Sequence, residues 1–504
     1  MIRVRSAGLD GVRARVVDVE VAAIDSRGDD IVVVGLPDVM VKESRRRVIG
    51  AASRLGVDCK GRKLVFNLAP ASLPKLGTIL DLPMAVAYLA VARDLPLPRA
   101  RDYLVCGEIG LDGRARGLEA ALSVALLCRE MGARGLVLPR AALDEASLVE
   151  GVRLVPIDHL GEALEFLAGQ RNLEEVVGAR PPPDDETSGP DLGEVRGQPS
   201  AVRALLVAAG GGHNLLMSGP PGAGKTMLAR ALAGILPELE VDAALEVASI
   251  HAAAGHSRRR GFYRPPFRAP HHSASRQALV GGGSFPRPGE ITMAHRGVLF
   301  LDEIPEFSKE VLEALRQPLE DQVVTVARAR ATRNFPADVM LVAAMNPCPC
   351  GWSGDALRSC RCSIRESERY RARLSGPLLD RIDIHLPVRR VALDRLVGPE
   401  SGVSSRQARV LVTAARARQR ARASQAGADC NARVSGRRLN AVCGLSASLR
   451  RDLARRLESL GMSARAYVKV LRLARSLADL EGEEEVSEER LLEAIQFRGL
   501  DREV

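Results

Sequence analysis

The run Gly219-Pro220-Pro221-Gly222-Ala223-Gly224-Lys225-Thr226 fills every fixed position of the pattern GxxxxGK[ST]. Glycines at 222 and 224 let the backbone turn its N–H groups onto phosphate oxygens at a helix N-terminus. Lys225 adds a point charge there, and Thr226 offers a hydroxyl to Mg²⁺. Downstream, Gly297-Val-Leu-Phe-Leu-Asp302-Glu303 is an apolar run that ends in two carboxylates. Asp302 suits the Mg²⁺ shell, and Glu303 suits orientation and deprotonation of an attacking water. A third run, Asp338 to Asn346, ends in an amide. That amide either positions the water beside the γ-phosphate or caps the turn before Pro347.

Cys348, Cys350, Cys360 and Cys362 are four of nine cysteines, gathered within 15 residues. Their two C-x-C pairs are tighter than the usual CxxC knuckle. The readings are a structural Zn²⁺ that pins the loop between Asn346 and Arg381, or a loop of reduced thiols. No apolar stretch reaches the ~18 residues of a membrane span. The start MIRVRSAGLDG lacks the apolar core of a signal peptide. A cytoplasmic chain without a membrane partner is expected, and its cysteines are then not a disulfide framework.

Elements must position these groups. HNLLMS reads as a buried strand before the phosphate loop, and MLARALAGIL as a helix after it. Across the 504 residues the pattern predicts an α/β domain over 1–172, a linker over 173–192 containing GARPPPDDETSGP, and a second α/β region over 193–390. A helical region follows over 391–504. The net charge is +10 with only seven lysines, so the basicity is carried by arginine. Residues 405–475 hold 16 Arg and one Lys against three acids, either a solvated helical surface or an anion-facing one. Ser487 is expected to cap a last helix, with Glu488 and Glu489 in its first turn.

Taken together, the phosphate loop, the strand ending in Asp-Glu and the strand-terminal Asn resemble an AAA+ ATPase. GVLFLDEIPEF, MNPCPCG and SGPLLDRIDIH are similar to the ComM/YifB branch, the magnesium-chelatase-like proteins. The resemblance implies a P-loop AAA+ core with a helical C-terminal lid and an N-terminal α/β domain like the Lon protease C-terminal domain (S5-type). It implies ATP and Mg²⁺ as cofactors and a homo-oligomeric ring, usually a hexamer, with ATP between subunits. Arg381 matches the family's arginine finger; the other reading is a local ion pair to Asp380 or Asp383. Arg465 matches the lid arginine. Its helix is expected to bury Tyr467, Val468, Leu471, Ala474 and Ala478, with Arg465, Lys469 and Arg472 on another face.

Residues 255–296, rich in Gly, Pro, His and Arg, look like the insert that this clade points into its central pore, and are not expected to form core. In Val323 to Arg333, alternation puts Arg328 and Arg330 on one face of a hairpin. A collar of such arginines suits a phosphate backbone threaded without sequence readout. The partner is then DNA, single-stranded or branched duplex, and the implied role is a branch-migration helicase in recombination and natural transformation. The rival is a magnesium-chelatase or MoxR-like ATPase that remodels a protein. Proteolysis is not expected, because Ile79 stands at the Lon serine position and no Lys occurs from 76 to 224. Val41 to Arg47 would give this domain a basic helix, either touching DNA or simply solvated.

Overall fold

The computed structural model describes the chain apart from residues 26–30, 58–61, 76, 183–188, 257, 284–286, 329–330, 356, 392–401 and 500–504. The described residues gather into two compact units. One holds residues 1–184, 240–263 and 329–333; the other holds 185–239, 264–328 and 334–504.

The first unit opens on a hairpin, Ile2–Asp10 against Arg13–Asp25. Its two-residue turn contains Gly11 at φ +67°, and the pair Asp10-Gly11 is a strong hairpin signal. Val17, Val19 and Val21 alternate into the core. The sequence reading had no strand here, although both signals were present. Arg62–Ala69 and Ile31–Val34 complete this four-stranded sheet. A second sheet sets Tyr103–Val105, Gly135–Pro139 and Arg153–Ile157 in parallel, with Val176–Val177 antiparallel at its edge. Asp81–Ala92 and Ala121–Glu130 are helices, buried along most of their lengths.

The expected basic surface on helix Val39–Arg54 is corrected at Arg47. That guanidinium donates to buried Asp81 at 2.6 and 3.0 Å. Burial pushes the Asp81 carboxyl up, and the bonds from Arg47 and Ser44 oppose the push. Ile79 is buried, and Lys75 spends its ammonium on the carbonyl of Pro70.

In the second unit a five-stranded parallel sheet runs in the order Phe267–Arg268, Val298–Leu301, Met340–Met345, Leu215–Ser218, Ile384–Pro387. Its central strands are continuous apolar runs buried on both faces, as parallel strands covered by helices must be. Strand Met340–Met345 is inserted between the strand of the phosphate loop and the strand of Asp302. All three motif ends therefore emerge along one edge, the carboxyl edge, where ligands bind in open α/β sheets.

The insert over 255–296 is corrected: part of it is core. Phe267–Arg268 is the edge strand of the main sheet, and Leu279, Ile291 and Met293 are buried. Arg268 clasps Glu290 through two bonds of 2.6 and 2.7 Å. The few apolar residues are widely spaced, so composition hid them. The hairpin forms over Val323–Arg328 and Ala331–Pro336, but Arg330 and the side chain of Arg328 lie outside the described residues.

Four of the helices after residue 404 start at serine caps. Ser404, Ser446, Ser463 and Ser487 each accept a backbone N–H three residues on. The arginine-rich stretch is neither wholly solvated nor wholly anion-facing. Arg409 bonds Gly234 O and Arg416 bonds Ala209 O, satisfying carbonyls at helix C-termini that lack intrahelical donors. Arg475 is fully buried, bonded to Asp479 and to the carbonyls of Glu483 and Glu484. The long helix Ala464–Glu481 is corrected in detail. Lys469 is buried and donates to Ile382 O at 2.9 Å, while Tyr467 and Val468 are only half-buried. A lysine can lie on a buried face when a carbonyl waits there.

Candidate nucleotide site and thiolate cluster

The phosphate loop leaves strand Leu215–Ser218 and enters helix Lys225–Ile235. Gly222 and Gly224 sit at φ +76° and +88°, left-handed backbone that turns the loop's amides inward. Gly219 N–H bonds Met345 O at 3.2 Å, tying the loop to the neighbouring strand. Gln198, which the sequence reading did not single out, donates to Ala223 O at 3.0 Å and braces the loop from outside.

Lys225 Nζ reaches Gly219 O at 2.6 Å, Pro220 O at 3.0 Å and Asn346 Oδ1 at 3.0 Å. The strand-terminal amide thus meets the lysine side chain, and a mere cap before Pro347 does not describe it. Burial pushes the Lys225 ammonium pKa down, and Asp302 and Glu303 resist that fall. Thr226 Oγ1 donates to Asp302 Oδ2 at 2.8 Å. A hydroxyl and a carboxylate placed together at the loop's exit are the hard oxygen donors that Mg²⁺ takes, usually with waters and phosphates completing its shell. Thr226 and Asp302 would hold that ion, and it would neutralise charge developing on phosphate oxygens.

Glu303 follows in left-handed backbone, φ +50°, which costs a non-glycine residue ~1–2 kcal/mol. The Asp302 carboxylate accepts its N–H at 3.0 Å. Its carboxylate is half exposed, and His272 Nδ1 stands 3.9 Å away. His272 belongs to the insert and had no role in the sequence reading; nothing in the spacing joined it to Glu303.

Arg381 and Arg465 are brought together elsewhere. Asn214 Nδ2 donates to Arg381 O at 2.7 Å, and Asn214 immediately precedes the phosphate-loop strand. Arg465 pairs with Asp380. Both arginines therefore stand at the amino edge of the sheet, opposite Lys225, Asp302 and Asn346. Arg381 ion-pairs with Glu320 and donates to Pro377 O at 2.7 Å, so the expected alternative of Asp380 or Asp383 is corrected. Asp383 instead accepts from His213 at 3.2 Å, and His213 also meets Ser476 of the long helix at 2.7 Å. Burial pushes Asp383 upward, yet the His213 bond and the charges of Lys469 and Arg472 hold it at about 2. An Arg-lined cavity of about 430 Å³ opens beside this segment, with Arg381, Arg433, Arg465 and Arg472 on its walls.

The four cysteines converge: their Sγ atoms all lie within 4.8 Å of one another. Cys348 Sγ is 3.4 Å from Cys350 and 3.6 Å from Cys360, and Cys350 is 3.6 Å from Cys360. These are too long for disulfides. Thiolates ~2.3 Å from a tetrahedral Zn²⁺ stand ~3.8 Å apart, so the donor set fits that ion. Backbone N–H groups of Cys350, Ser353 and Cys362 point at Cys362, Cys348 and Cys360 sulfurs at 3.4, 3.3 and 3.4 Å. Burial pushes Cys106 up to about 12. Cys106, Cys128, Cys430 and Cys443 are buried.

The parallel sheet, its phosphate loop and the facing carboxylates define an AAA+-type ATPase. The family described as "Magnesium chelatase, subunit ChlI" matches residues 191–396, "Subunit ChlI of Mg-chelatase" matches 19–142, and "Magnesium chelatase, subunit ChlI C-terminal" matches 402–498. The chain is 40% identical over 501 residues to the "Uncharacterized protein YifB" of Escherichia coli (strain K12), covering 98% of this chain and 96% of that protein. It is 39% identical over 498 residues to the "Competence protein ComM" of Haemophilus influenzae, with 98% and 96% covered. A stretch of 139 residues, 26% of this chain and 25% of the relative, is 30% identical to "Lon protease 2" of Bacillus subtilis. This chain belongs to the ComM/YifB family of magnesium-chelatase-like ATPases, and that family implies ATP and Mg²⁺. Among the described residues no helix is long and apolar enough to cross a membrane.

Proposed function

We propose that the chain is a ring-forming, ATP-driven DNA motor, a branch-migration helicase acting in recombination and natural transformation. One observation carries the ring. Lys225, Thr226, Asp302 and Asn346 sit at the carboxyl edge of the sheet, while Arg381 and Arg465 sit at its amino edge. The phosphate-loop strand Leu215–Ser218, four residues long, spans ~13 Å at ~3.3 Å per residue, about twice the reach of an arginine side chain. One chain then cannot bring both sets to one phosphate, and a second copy supplies the arginines. In this reading Glu303 activates water, Asn346 positions it, and the neighbour's Arg381 and Arg465 compensate charge in the transition state. The nucleotide lies on residues 219–226, in a site completed at the subunit boundary of a hexamer.

The DNA track is supported by the arginines of the hairpin, by the excess of positive charge and by the name competence protein of the Haemophilus relative. Residues 1–172 are a non-proteolytic module, 193–390 the motor and 391–504 its lid, working in the cytoplasm. The four thiolates of Cys348, Cys350, Cys360 and Cys362 hold a structural Zn²⁺.

The test is the steady-state ATPase rate of the purified chain, alone and with single-stranded, duplex and four-way-junction DNA. Stimulation by one of these names the track. An assembled, active ring that ignores all three refutes the DNA reading and leaves a protein-remodelling ATPase.

A further inference from the structure

The four-cysteine cluster sits against the phosphate loop. Asn346, which accepts from Lys225, is two residues before Cys348. Cys348 is fully buried, and its carbonyl accepts from Gly351 N–H at 2.9 Å. Gly351 lies at φ +83° and faces the ring of Pro221 in the phosphate loop. A methyl group added there would stand 2.7 Å from Pro221 Cδ and 3.9 Å from Asn346 Cγ. The C-x-C turn is thus packed at backbone distance on one wall of the nucleotide site.

The other end of the cluster reaches the opposite wall. Cys362 is followed by Ser363, which caps helix Ile364–Arg371 in a reciprocal capping box with Glu366. That helix leads to Arg373, which donates to Pro305 O at 3.0 Å and to Glu306 at 2.9 Å, in the loop just after Asp302 and Glu303. One small cluster therefore joins the phosphate loop, the strand-terminal amide and the loop of the carboxylates. Without a central ion the four sulfurs are joined only by weak S–H contacts of 3.4 to 3.6 Å, and the cluster loses its strongest tie between these segments.

We propose that Zn²⁺ bound by Cys348, Cys350, Cys360 and Cys362 is the prop that sets the spacing of the nucleotide site, so that turnover depends on metal occupancy. This rests on the reading of the cluster as a zinc site. Gly351 is the positioning residue that transmits the cluster's position to Pro221. The metal touches neither nucleotide nor water.

Zinc is measured by mass spectrometry on the purified full chain, before and after release with an organomercurial and EDTA. Binding of a fluorescent ATP analogue, ATP turnover and far-UV circular dichroism are followed on both samples. One zinc per chain is expected. Its removal should lower turnover roughly 10²-fold, the effect of a ~1 Å misplacement, weaken analogue binding and leave the helical signal in place, and added Zn²⁺ should restore the rate. Gly351→Ala should keep one zinc and lose turnover in the same way. Absence of zinc from the untreated chain would sink the metal reading itself. One zinc per chain, with the depleted chain turning over at the wild-type rate, would overturn the coupling while sparing the site. Should the depleted chain unfold, Gly351→Ala decides: zinc retained with a wild-type rate overturns the proposal.

Discussion

Mixing two inactive variants tests whether Arg381 acts on a neighbour's nucleotide. Lys225→Ala removes the cation that meets Asn346 and the phosphate-loop carbonyls. That chain keeps Arg381. Arg381→Ala leaves the loop intact but removes the guanidinium now held by Glu320 and Pro377 O. Turnover of this variant alone should fall ~10³-fold or more, with ATP binding retained. The geometry dictates the outcome of mixing. Arg381 is anchored through Asn214 at the start of the phosphate-loop strand, and the nucleotide lies beyond its end. An extended arginine covers about half of the ~13 Å that four strand residues span. In a ring reassembled from equal amounts of the two variants, about one quarter of the boundaries join an intact loop to an intact Arg381. ATPase activity measured after mixing and reassembly should therefore recover to about one quarter of the wild-type rate per chain. Recovery no greater than the sum of the separate variants would refute action across a boundary. Arg465→Ala mixed with Lys225→Ala should recover likewise, because Arg465 shares that edge through Asp380.

Three further outcomes are expected. Lys225→Ala alone should abolish binding of a fluorescent ATP analogue, and retained binding would contradict the site. Replacing Arg328 and Arg330 with alanine should weaken DNA affinity and reduce the log–log salt slope by about one for each lost phosphate contact; titration of a labelled strand at several salt concentrations measures it, and an unchanged slope removes the hairpin from the track. Asp383 should carry an acid-dependent share of stability. Its carboxyl lies at about 2 in the fold against the ordinary 3.8, so its contribution is present above pH 3.8 and lost as pH falls through about 2. That difference corresponds to about 2 kcal/mol. Urea unfolding should find Asp383→Asn less stable at neutral pH and flatter than wild type between pH 4 and pH 2; parallel curves would refute the assignment.

Much of the molecule was legible in the residues alone. Apolar runs ending in Thr226-proximal glycines, in Asp302-Glu303 and in Asn346 announced parallel strands, because a strand buried on both faces must be apolar throughout and can change character only at its end. Ser487 before the last helical run marked a helix start, since four orphan N–H groups need an acceptor there. The full-length relatives bear out the family that these motifs suggested. Other features were legible but passed over, as with Asp10-Gly11 and the alternating valines of the first hairpin.

What the sequence could not determine is which side chains meet across the fold. Local spacing says nothing about a strand inserted between two others, yet that insertion puts Asn346 beside Lys225. It cannot show that Arg381 pairs with Glu320 rather than with Asp380 or Asp383, or that Arg47 is consumed by Asp81. Arginine density reads as surface charge, whereas Arg409 and Arg416 turn to part-buried carbonyls at helix ends. The identity of a motif is written in short-range pattern, because backbone geometry near a phosphate tolerates few residue types. Partnership of charges is set by distances between segments far apart in the chain, and only packing of the whole unit fixes those.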